Sequence, residues 1–297
     1  MIAWRGTTNR IGLSKNTNMI NFDTNIRARS VGPTILMYHA LGSRRDAVTT
    51  ELGVFERTIE ALVEHGNRCV DLSEWVAAGR PCVERRFAIT FDDGYRSIAL
   101  AANVLSRYRL GATVFLATDF MGRESNRSDR PPWMRDEPIL DWSETRDLAA
   151  AGFRFQPHSK THPNLTQCKN EQIFEELIES KSAIEDRLGG SCDLFAYPFG
   201  ASNAFVRRAV SERFIAAFGV RQALAGPGDD RFDLPRVDAY YINTDRAIDR
   251  LARGAIEPTL AFRRPPRAVK AHAKAWIESI RRRSNELLRS AGLNAHS

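Results

Sequence analysis

Two short stretches of the sequence hold residue types that bind metal ions and activate water. The stretch FAITFDDGYRS ends an apolar run with the adjacent aspartates Asp92 and Asp93, and the stretch HSKTH places His158 and His162 four residues apart. That spacing lets both imidazoles reach one ion, and Asp93 offers an oxygen ligand. Two histidines and one carboxylate leave a coordination position open for water. The HxxxH pair alone is weak evidence, because unrelated surface and core pairs often show this spacing.

The elements that position these residues follow from an alternation of apolar strands and amphipathic helices. Apolar runs predict strands over residues 34–39, 86–91, 111–118, 153–159 and 193–200. Helical spacing of apolar residues predicts helices over residues 54–66, 95–108, 142–152, 170–190 and 203–219. This alternation implies parallel strands joined by crossover helices, and enough such units close into a barrel. In these folds the chemistry lies at the C-terminal ends of the strands, where His39, Asp92–Asp93, His158 and His162 fall.

Length and composition bound the domain organisation. The chain has 297 residues, 43% of them hydrophobic, which suits one large or two small globular domains. We divide it into a flexible polar segment over residues 1–30, a catalytic domain over 31–250 and a basic helical extension over 251–297. No apolar run approaches the roughly 20 residues that span a bilayer. The N-terminus also lacks an apolar block of signal-peptide length, so we expect a cytoplasmic protein.

The net charge of +7 lies largely near the C-terminus, in the segment FRRPPRAVKAHAKAWIESIRRRSNELLRS. The rest of the chain shows no matching basic stripe and no nucleic-acid-binding motif, so we expect no nucleic-acid partner. We interpret the basic segment as a solvated helix, with peripheral contact to a membrane or to a partner protein as the alternative. None of the four cysteines lies in a CxxC pair, which argues against a zinc–thiolate site.

Three motifs in order carry a family resemblance. TFDDG (90–94), HSKTHPNL (158–165) and FAYPFG (195–200) resemble the first three motifs of the NodB-homology polysaccharide deacetylases, carbohydrate esterase family 4. The segment ILMYHALG resembles the branch with an N-terminal MYH strand and a YPFG third motif. The resemblance covers roughly residues 33–240. It implies an α/β fold, a distorted (β/α) barrel of seven strands, which fits the alternation described above.

The resemblance also implies roles for the paired acids, because family members remove acyl groups from sugars with one bound divalent metal. Asp92 becomes the general base, and Asp93, His158 and His162 become the metal ligands. Zinc is the default ion for this ligand set, and Co²⁺, Ni²⁺ or Mn²⁺ occupy similar sites. The structural alternative for the aspartate pair is an Asx-type turn with Asp at a helix N-cap.

Further residues complete the implied site. The backbone N–H of Phe199 is the family's second contact to the reacting carbonyl, and Tyr197 is a candidate for the sugar-binding groove, with core packing as its alternative. Many relatives have an arginine where this chain has Ala196, and we assign the task of orienting the base to Arg236, for which an exposed structural role is the alternative. In place of a histidine near the C-terminus, His39 is the candidate general acid, with a core histidine as its alternative.

Three functions are compatible with these residues. The first is a hydrolase that removes N-acetyl groups from an amino-sugar-containing polysaccharide or glycan precursor. The second keeps the same site and acts on a lipid-linked or nucleotide-linked amino sugar at the inner membrane face. The third is a carbohydrate-binding protein that retains the fold without turnover. The intact set of two aspartates and two histidines favours an enzyme.

Overall fold

The computed structural model describes residues 32–256 and residue 260, apart from residues 45, 47, 83–84 and 124–136. The predicted flexible segment 1–30 and most of the predicted extension 251–297 lie outside the described residues, and so does the basic C-terminal helix. Those assignments stay predictions. Within the described part of the chain, no helix is long and apolar enough to cross a membrane.

Seven parallel strands form the main sheet. In chain order the strands of the molecule are β1 (Thr34–Tyr38), β2 (Ala40–Leu41), β3 (Thr49–Thr50), β4 (Arg68–Cys69), β5 (Arg86–Phe91), β6 (Ala112–Leu116), β7 (Phe153–Pro157), β8 (Leu194–Ala196), β9 (Ala216–Gln222) and β10 (Leu234–Asp238). The order across the sheet is β7-β6-β5-β1-β10-β9-β8, with the short β4 paired to the start of β5. Strands β2 and β3 form a separate pair.

Seven α-helices accompany the described strands: α1 (Leu52–Glu64), α2 (Leu72–Ala77), α3 (Ala99–Arg107), α4 (Trp142–Ala150), α5 (Asn170–Leu188), α6 (Ala204–Ser211) and α7 (Asp245–Ala252). Their apolar faces cover the outside of the sheet, while alternate strand residues point inward. Leu36 belongs to the outer layer beneath the helices, whereas its neighbour Ile35 belongs to the inner cluster with Ala88 and Phe115. Both faces of the strands are therefore buried, as expected for a parallel sheet.

Side chains, rather than a backbone ladder, join the two edge strands of the sheet. The Oε1 atom of Gln156 on β7 accepts a hydrogen bond from the backbone N–H of Leu194 on β8 at 2.8 Å. His158, which directly follows β7, bonds the carbonyl oxygen of Ala196 at 2.7 Å. At the opposite end, Trp75 of α2 joins the inner cluster and closes the barrel near Gly32. The sheet is thus a nearly closed barrel of seven strands, and the fold prediction is confirmed.

Two predicted elements near the C-terminal half were wrong in extent. The helix predicted over 203–219 ends at Ser211, and the following apolar run forms the buried strand β9 from Ala216. Short apolar runs do not distinguish a buried strand from a helix, and here pairing with both β8 and β10 decides the outcome. The strand predicted over 193–200 ends at Ala196, because the chain turns into a 3₁₀ segment at Pro198–Gly200.

Candidate metal centre

The C-terminal ends of the barrel strands gather the chemical residues. Asp92 and Asp93 follow β5, and His158 follows β7, so their side chains meet across β6. Asp92, Asp93, His158 and His162 are all buried, with at most 6% of each residue exposed. Four charged or ionisable groups in one buried place are costly unless they pair with one another or with an ion.

Asp93 lies between the two histidines. Its Oδ1 atom is 3.5 Å from Nε2 of His158 and 3.2 Å from Nε2 of His162. A tetrahedral zinc ion with ligand bonds of about 2.0–2.1 Å separates its donor atoms by roughly 3.3–3.4 Å. The two observed separations bracket that value, and all three donor atoms lie within 4.8 Å of one another.

The tautomer of His158 suits a cation between its ring and Asp93. Its Nδ1 atom faces the carbonyl oxygen of Ala196, which only accepts, so Nδ1 carries the proton. Burial, the largest cause, lowers the pKa of His158 to about 4, and the ring is neutral at pH 7. Nε2 then presents a lone pair to the Oδ1 atom of Asp93. Two acceptors facing each other in a buried site fit a metal ion, and the bond to Ala196 is the outer contact that commonly fixes a metal-binding histidine.

The backbone at the site adopts conformations that non-glycine residues seldom use. Asp93, Ser159, His162 and Phe199 have φ values of 71°, 66°, 53° and 58°. Such left-handed residues cost about 1–3 kcal/mol each and cluster at functional sites. Gly94, with φ of 80°, continues the turn, and a Cβ atom there would lie 2.7 Å from Leu116. Glycine directly after the aspartate pair avoids both the backbone strain and this close contact.

Arg236 on β10 holds Asp92 in a bidentate ion pair. Nη1 and Nη2 donate to Oδ1 and Oδ2 of Asp92, both at 2.7 Å, and the guanidinium is fully buried. Two further donors are also bonded, Nε to the carbonyl oxygen of Gly219 at 3.0 Å and Nη1 to the hydroxyl of Thr90 at 3.2 Å. The structure thus brings together Arg236 and Asp92, whereas the alternative of an exposed arginine is excluded.

The two carboxylates are ionised despite their burial. Burial alone would raise the pKa of Asp92, but the Arg236 guanidinium, aided by His158 and His39, holds it below its usual range. Burial would likewise raise the pKa of Asp93, but the contact with His162 and the neighbouring histidines hold it well below that range. At neutral pH both side chains are therefore anionic.

We expect Arg236→Met to destabilise the protein by about 3–5 kcal/mol at pH 7, because it leaves the Asp92 carboxylate buried without its cation. In the variant the pKa of Asp92 rises, so the carboxylate becomes neutral on mild acidification and the destabilisation shrinks as pH falls from 7 to 5. Denaturant unfolding of metal-free protein at both pH values measures this. Arg253→Met, at a side chain 62% exposed, is the matched control. A penalty equal at both pH values would contradict the assigned charge of Asp92.

His39 follows β1 at the same end of the barrel and is half-buried. Its positive form lowers the pKa of both Asp92 and Asp93, which places the ring near the two carboxylates. The structure therefore brings His39 to the site, at the rim rather than under the sheet. Its proposed role as a proton donor is taken up below.

Phe199 and Tyr197 flank Pro198 but face different surroundings. The Phe199 side chain is 52% exposed, and its ring stacks edge-on against His162 with centroids 4.7 Å apart. Tyr197 is fully buried, and its hydroxyl donates to the carbonyl oxygen of Phe232 at 2.8 Å. A side chain without exposed surface has no face to offer a sugar, so the geometry favours core packing for Tyr197 and corrects its assignment to the substrate groove.

Sequence reasoning missed two groups that hold these residues in place. The hydroxyl of Thr90 accepts from Arg236 and donates to the carbonyl oxygen of Leu36 at 2.8 Å. Thr90 lies in the quoted TFDDG stretch. The alternation of side chains along β5 points Thr90 into the barrel, and this alternation could have identified it from the sequence. The carbonyl oxygen of Ala196 orients His158. A backbone acceptor leaves no trace in residue type, so no sequence signal could have found it.

Part of the chain is similar in sequence to known proteins. Residues 80–215 match the family model for polysaccharide deacetylase. A chitooligosaccharide deacetylase of Rhizobium leguminosarum bv. trifolii is 31% identical over 103 residues, which cover 34% of this chain and 40% of that protein. The match thus spans less than half the length of this curated relative.

Solved structures share the fold. A deacetylase of Streptococcus pyogenes in complex with acetate aligns with a TM-score of 0.61 at 19% identity, over 70% of this chain and 92% of that one. A polysaccharide deacetylase of Bacillus cereus has a TM-score of 0.64 at 22% identity, over 76% and 69% of the two chains. IcaB from Ammonifex degensii has a TM-score of 0.64 at 21% identity, over 77% and 98%.

The matched family segment contains β5 with its aspartate pair, the two histidines after β7 and the turn after β8. The same segment supplies four of the seven barrel strands, β5 to β8. Residues 80–215, a little under half of the chain, therefore resemble the polysaccharide deacetylases in sequence.

Proposed function

We propose that the protein is a metal-dependent deacetylase that removes N-acetyl groups from an amino-sugar-containing polysaccharide or glycan precursor. The observation that carries this proposal is the pair of adjacent aspartates with different partners. Asp93 faces two histidines in metal-binding geometry, and Asp92 is locked by Arg236. A protein that only binds carbohydrate has no need of both arrangements, so we place the non-catalytic alternative second.

Asp93, His158 and His162 would hold one divalent ion, for which zinc is the default and Co²⁺, Ni²⁺ or Mn²⁺ suit the same donors. When bound, such an ion lowers the pKa of water and polarises the acetyl carbonyl. The low pKa values of His158 and Asp93 keep both ligands free of protons at neutral pH, so protons do not compete with the metal there.

Asp92 acts as the general base in this proposal. Both of its oxygens bond Arg236, and each oxygen retains a second lone pair that can accept a proton. The bidentate pair fixes the plane of the carboxylate, so the base needs no reorganisation when the water attacks the acetyl carbon. Arg236 is a positioning residue, because it acts on the reaction only through Asp92.

The backbone N–H of Phe199 is the candidate donor to the carbonyl oxygen as the acetyl carbon becomes tetrahedral. The left-handed conformation of Phe199 turns the backbone beside His162, where the metal ligands converge. Gly200 permits this turn, because a Cβ atom there would lie only 2.3 Å from Val220. Pro198 and Gly200 thus serve both the turn and the proposed donor.

His39 is the candidate general acid. Breaking the C–N bond of the amide releases an amine, which takes a proton as it leaves, and a histidine with a pKa near neutrality can supply that proton. The position of His39 beside both carboxylates supports this role.

We expect His39→Gln to lower kcat roughly 10²–10⁴-fold on an N-acetylated chitooligosaccharide, the range typical of a lost general acid. The loss should be much smaller on p-nitrophenyl acetate, because its phenolate leaves without a proton. Steady-state kinetics on the two substrates measures the difference. His65→Gln is the control, since that side chain bonds the carbonyl oxygen of Ala61 within its own helix. Equal losses on the amide and the ester would exclude His39 as the proton donor.

The substrate class rests on the relatives. The curated Rhizobium protein is named a chitooligosaccharide deacetylase, and the Streptococcus pyogenes structure contains acetate. We therefore expect acetate release from N-acetylated chitooligosaccharides, its loss after chelation and its return with added Zn²⁺. Acetate release that survives removal of all metal would overturn the proposal. Metal binding without acetate release from any such oligosaccharide would favour a lipid-linked or nucleotide-linked amino sugar as the substrate.

A further inference from the structure

Glu176 is a buried carboxylate that contacts the loop between the two histidines. It lies in the middle of α5, and only 3% of the residue is exposed. Its Oε2 atom accepts the backbone N–H groups of Lys160 at 2.8 Å and Thr161 at 2.7 Å. Its Oε1 atom accepts the hydroxyl of Thr161 at 2.5 Å. Three donors from two consecutive loop residues therefore converge on one carboxylate.

Two of these bonds come from the backbone of the loop and one from the Thr161 hydroxyl, and none of the three comes from the ammonium of Lys160. The Nζ atom of Lys160 pairs with Glu175 at 3.0 Å and with Glu179 at 2.8 Å, on the exposed side of α5. Consecutive N–H groups that point at one anion form a compact anion-binding concavity. Bonds to an ionised acceptor are shorter and stronger than neutral ones, which suits a carboxylate that has lost most of its water.

The loop that Glu176 holds has to be restrained. Ser159 and His162, on either side of the two anchored residues, are both left-handed. Residues in such conformations persist only where the surrounding contacts fix them. Two further bonds assist, since the N–H of His162 donates to the Ser159 hydroxyl at 3.0 Å and the N–H of Asp119 donates to the carbonyl oxygen of Lys160 at 2.9 Å. Glu176 supplies the contacts at residues 160 and 161, the centre of the arc formed by residues 158–162.

We propose that Glu176 is a positioning residue for the metal centre. By holding residues 160 and 161 against α5, it fixes the arc that directs the Nε2 atoms of His158 and His162 to the same oxygen of Asp93. This inference rests on the proposed function, because it requires those three residues to bind the metal. Outer contacts of metal ligands typically change metal affinity by about 10–100-fold. We expect loss of the Glu176 contacts to change metal affinity by that factor.

The test compares two substitutions of Glu176 in the full-length protein. Glu176→Met keeps the length and helix propensity of the side chain but removes every acceptor, and we expect Zn²⁺ affinity to fall about 10–100-fold. Glu176→Gln keeps an oxygen for both backbone N–H groups, and its NH₂ can donate to the Thr161 hydroxyl, which also accepts. We expect the glutamine variant to stay within about threefold of the parent protein. Competition with a chromophoric chelator measures the affinity.

Two further variants separate the loop contact from general effects. Glu175→Met removes a neighbouring carboxylate that pairs with the Lys160 ammonium at 3.0 Å, and should leave Zn²⁺ affinity unchanged. Thr161→Val removes one donor to Glu176 with little change of shape, and should weaken Zn²⁺ binding severalfold. If circular dichroism shows that Glu176→Met does not fold, the Zn²⁺ affinity of Thr161→Val decides whether Glu176 has the positioning role.

The outcomes distinguish this inference from the proposed function. Parent-level Zn²⁺ affinity in a folded Glu176→Met protein, or in Thr161→Val where the methionine variant does not fold, would overturn the positioning role alone. A glutamine variant as weak as the methionine variant would overturn the hydrogen-bonding basis of the role. Failure of the parent protein itself to bind Zn²⁺ would overturn the metal centre and this inference together. Loss in Glu176→Met with retention in Glu176→Gln and Glu175→Met supports the proposal.

Discussion

Asp93→Asn is expected to abolish tight metal binding and acetate release together. The substitution replaces the anionic oxygen ligand by a neutral amide and removes the charge that faces both histidines. Outer contacts of a metal site are worth about 10–100-fold in affinity, and loss of a ligand should exceed about 100-fold. Titration with Zn²⁺ of protein that a chelator has freed of metal measures the affinity, and acetate release measures the activity.

The control for this variant is Asp245→Asn, at a side chain 89% exposed that pairs with Arg57 at 3.4 Å. It changes the same chemical group far from the site, so we expect parent values for metal affinity and turnover. Asp93→Asn protein that binds Zn²⁺ as tightly as the parent would exclude Asp93 as a ligand.

Asp92→Asn should produce the second large effect, a loss of turnover with the metal retained. Asparagine cannot take the proton of the attacking water at neutral pH, and loss of a general base costs roughly 10²–10⁴-fold in kcat. None of the three proposed metal ligands changes. The Arg236 guanidinium loses its anionic partner, so we also expect a lower free energy of unfolding, by about 3–5 kcal/mol.

The kinetic measurement for Asp92→Asn is made at saturating Zn²⁺ below the unfolding transition, so that reduced stability does not enter kcat. A normal far-ultraviolet circular dichroism spectrum is the condition for comparison. Turnover within about tenfold of the parent protein would mean that another group accepts the proton.

The sequence was sufficient for the parts of the site that depend on residue type and strand order. The ends of β5 and β7 carry Asp92, Asp93 and His158, and parallel strands bring such ends together whatever the exact loop geometry. Arg236 was proposed because Ala196 stands where many relatives have an arginine, and the structure shows that it contacts Asp92. The catalytic role of each residue stays a proposal.

Other features depend on tertiary contacts that residue type does not encode. The run after Ser211 became β9 because β8 and β10 lie on either side of it. Tyr197 turned inward because Phe232 offers a carbonyl oxygen there. Glu176 was foreseeable in part, since it shares a helix face with the buried residues Ile173 and Ser180 at spacings of three and four. Only the structure shows that its partners are the loop N–H groups.

The central claim is that two adjacent aspartates divide the work, one binding the metal and the other activating water. The most direct measurement is the zinc content per protein molecule of Asp92→Asn and Asp93→Asn, purified in parallel. Acetate release is assayed on the same samples. We expect one zinc and acetate release roughly 10²–10⁴-fold slower than the parent for Asp92→Asn, and neither zinc nor detectable acetate for Asp93→Asn. Equal zinc contents in the two variants, or acetate release by Asp92→Asn at the parent rate, would contradict it.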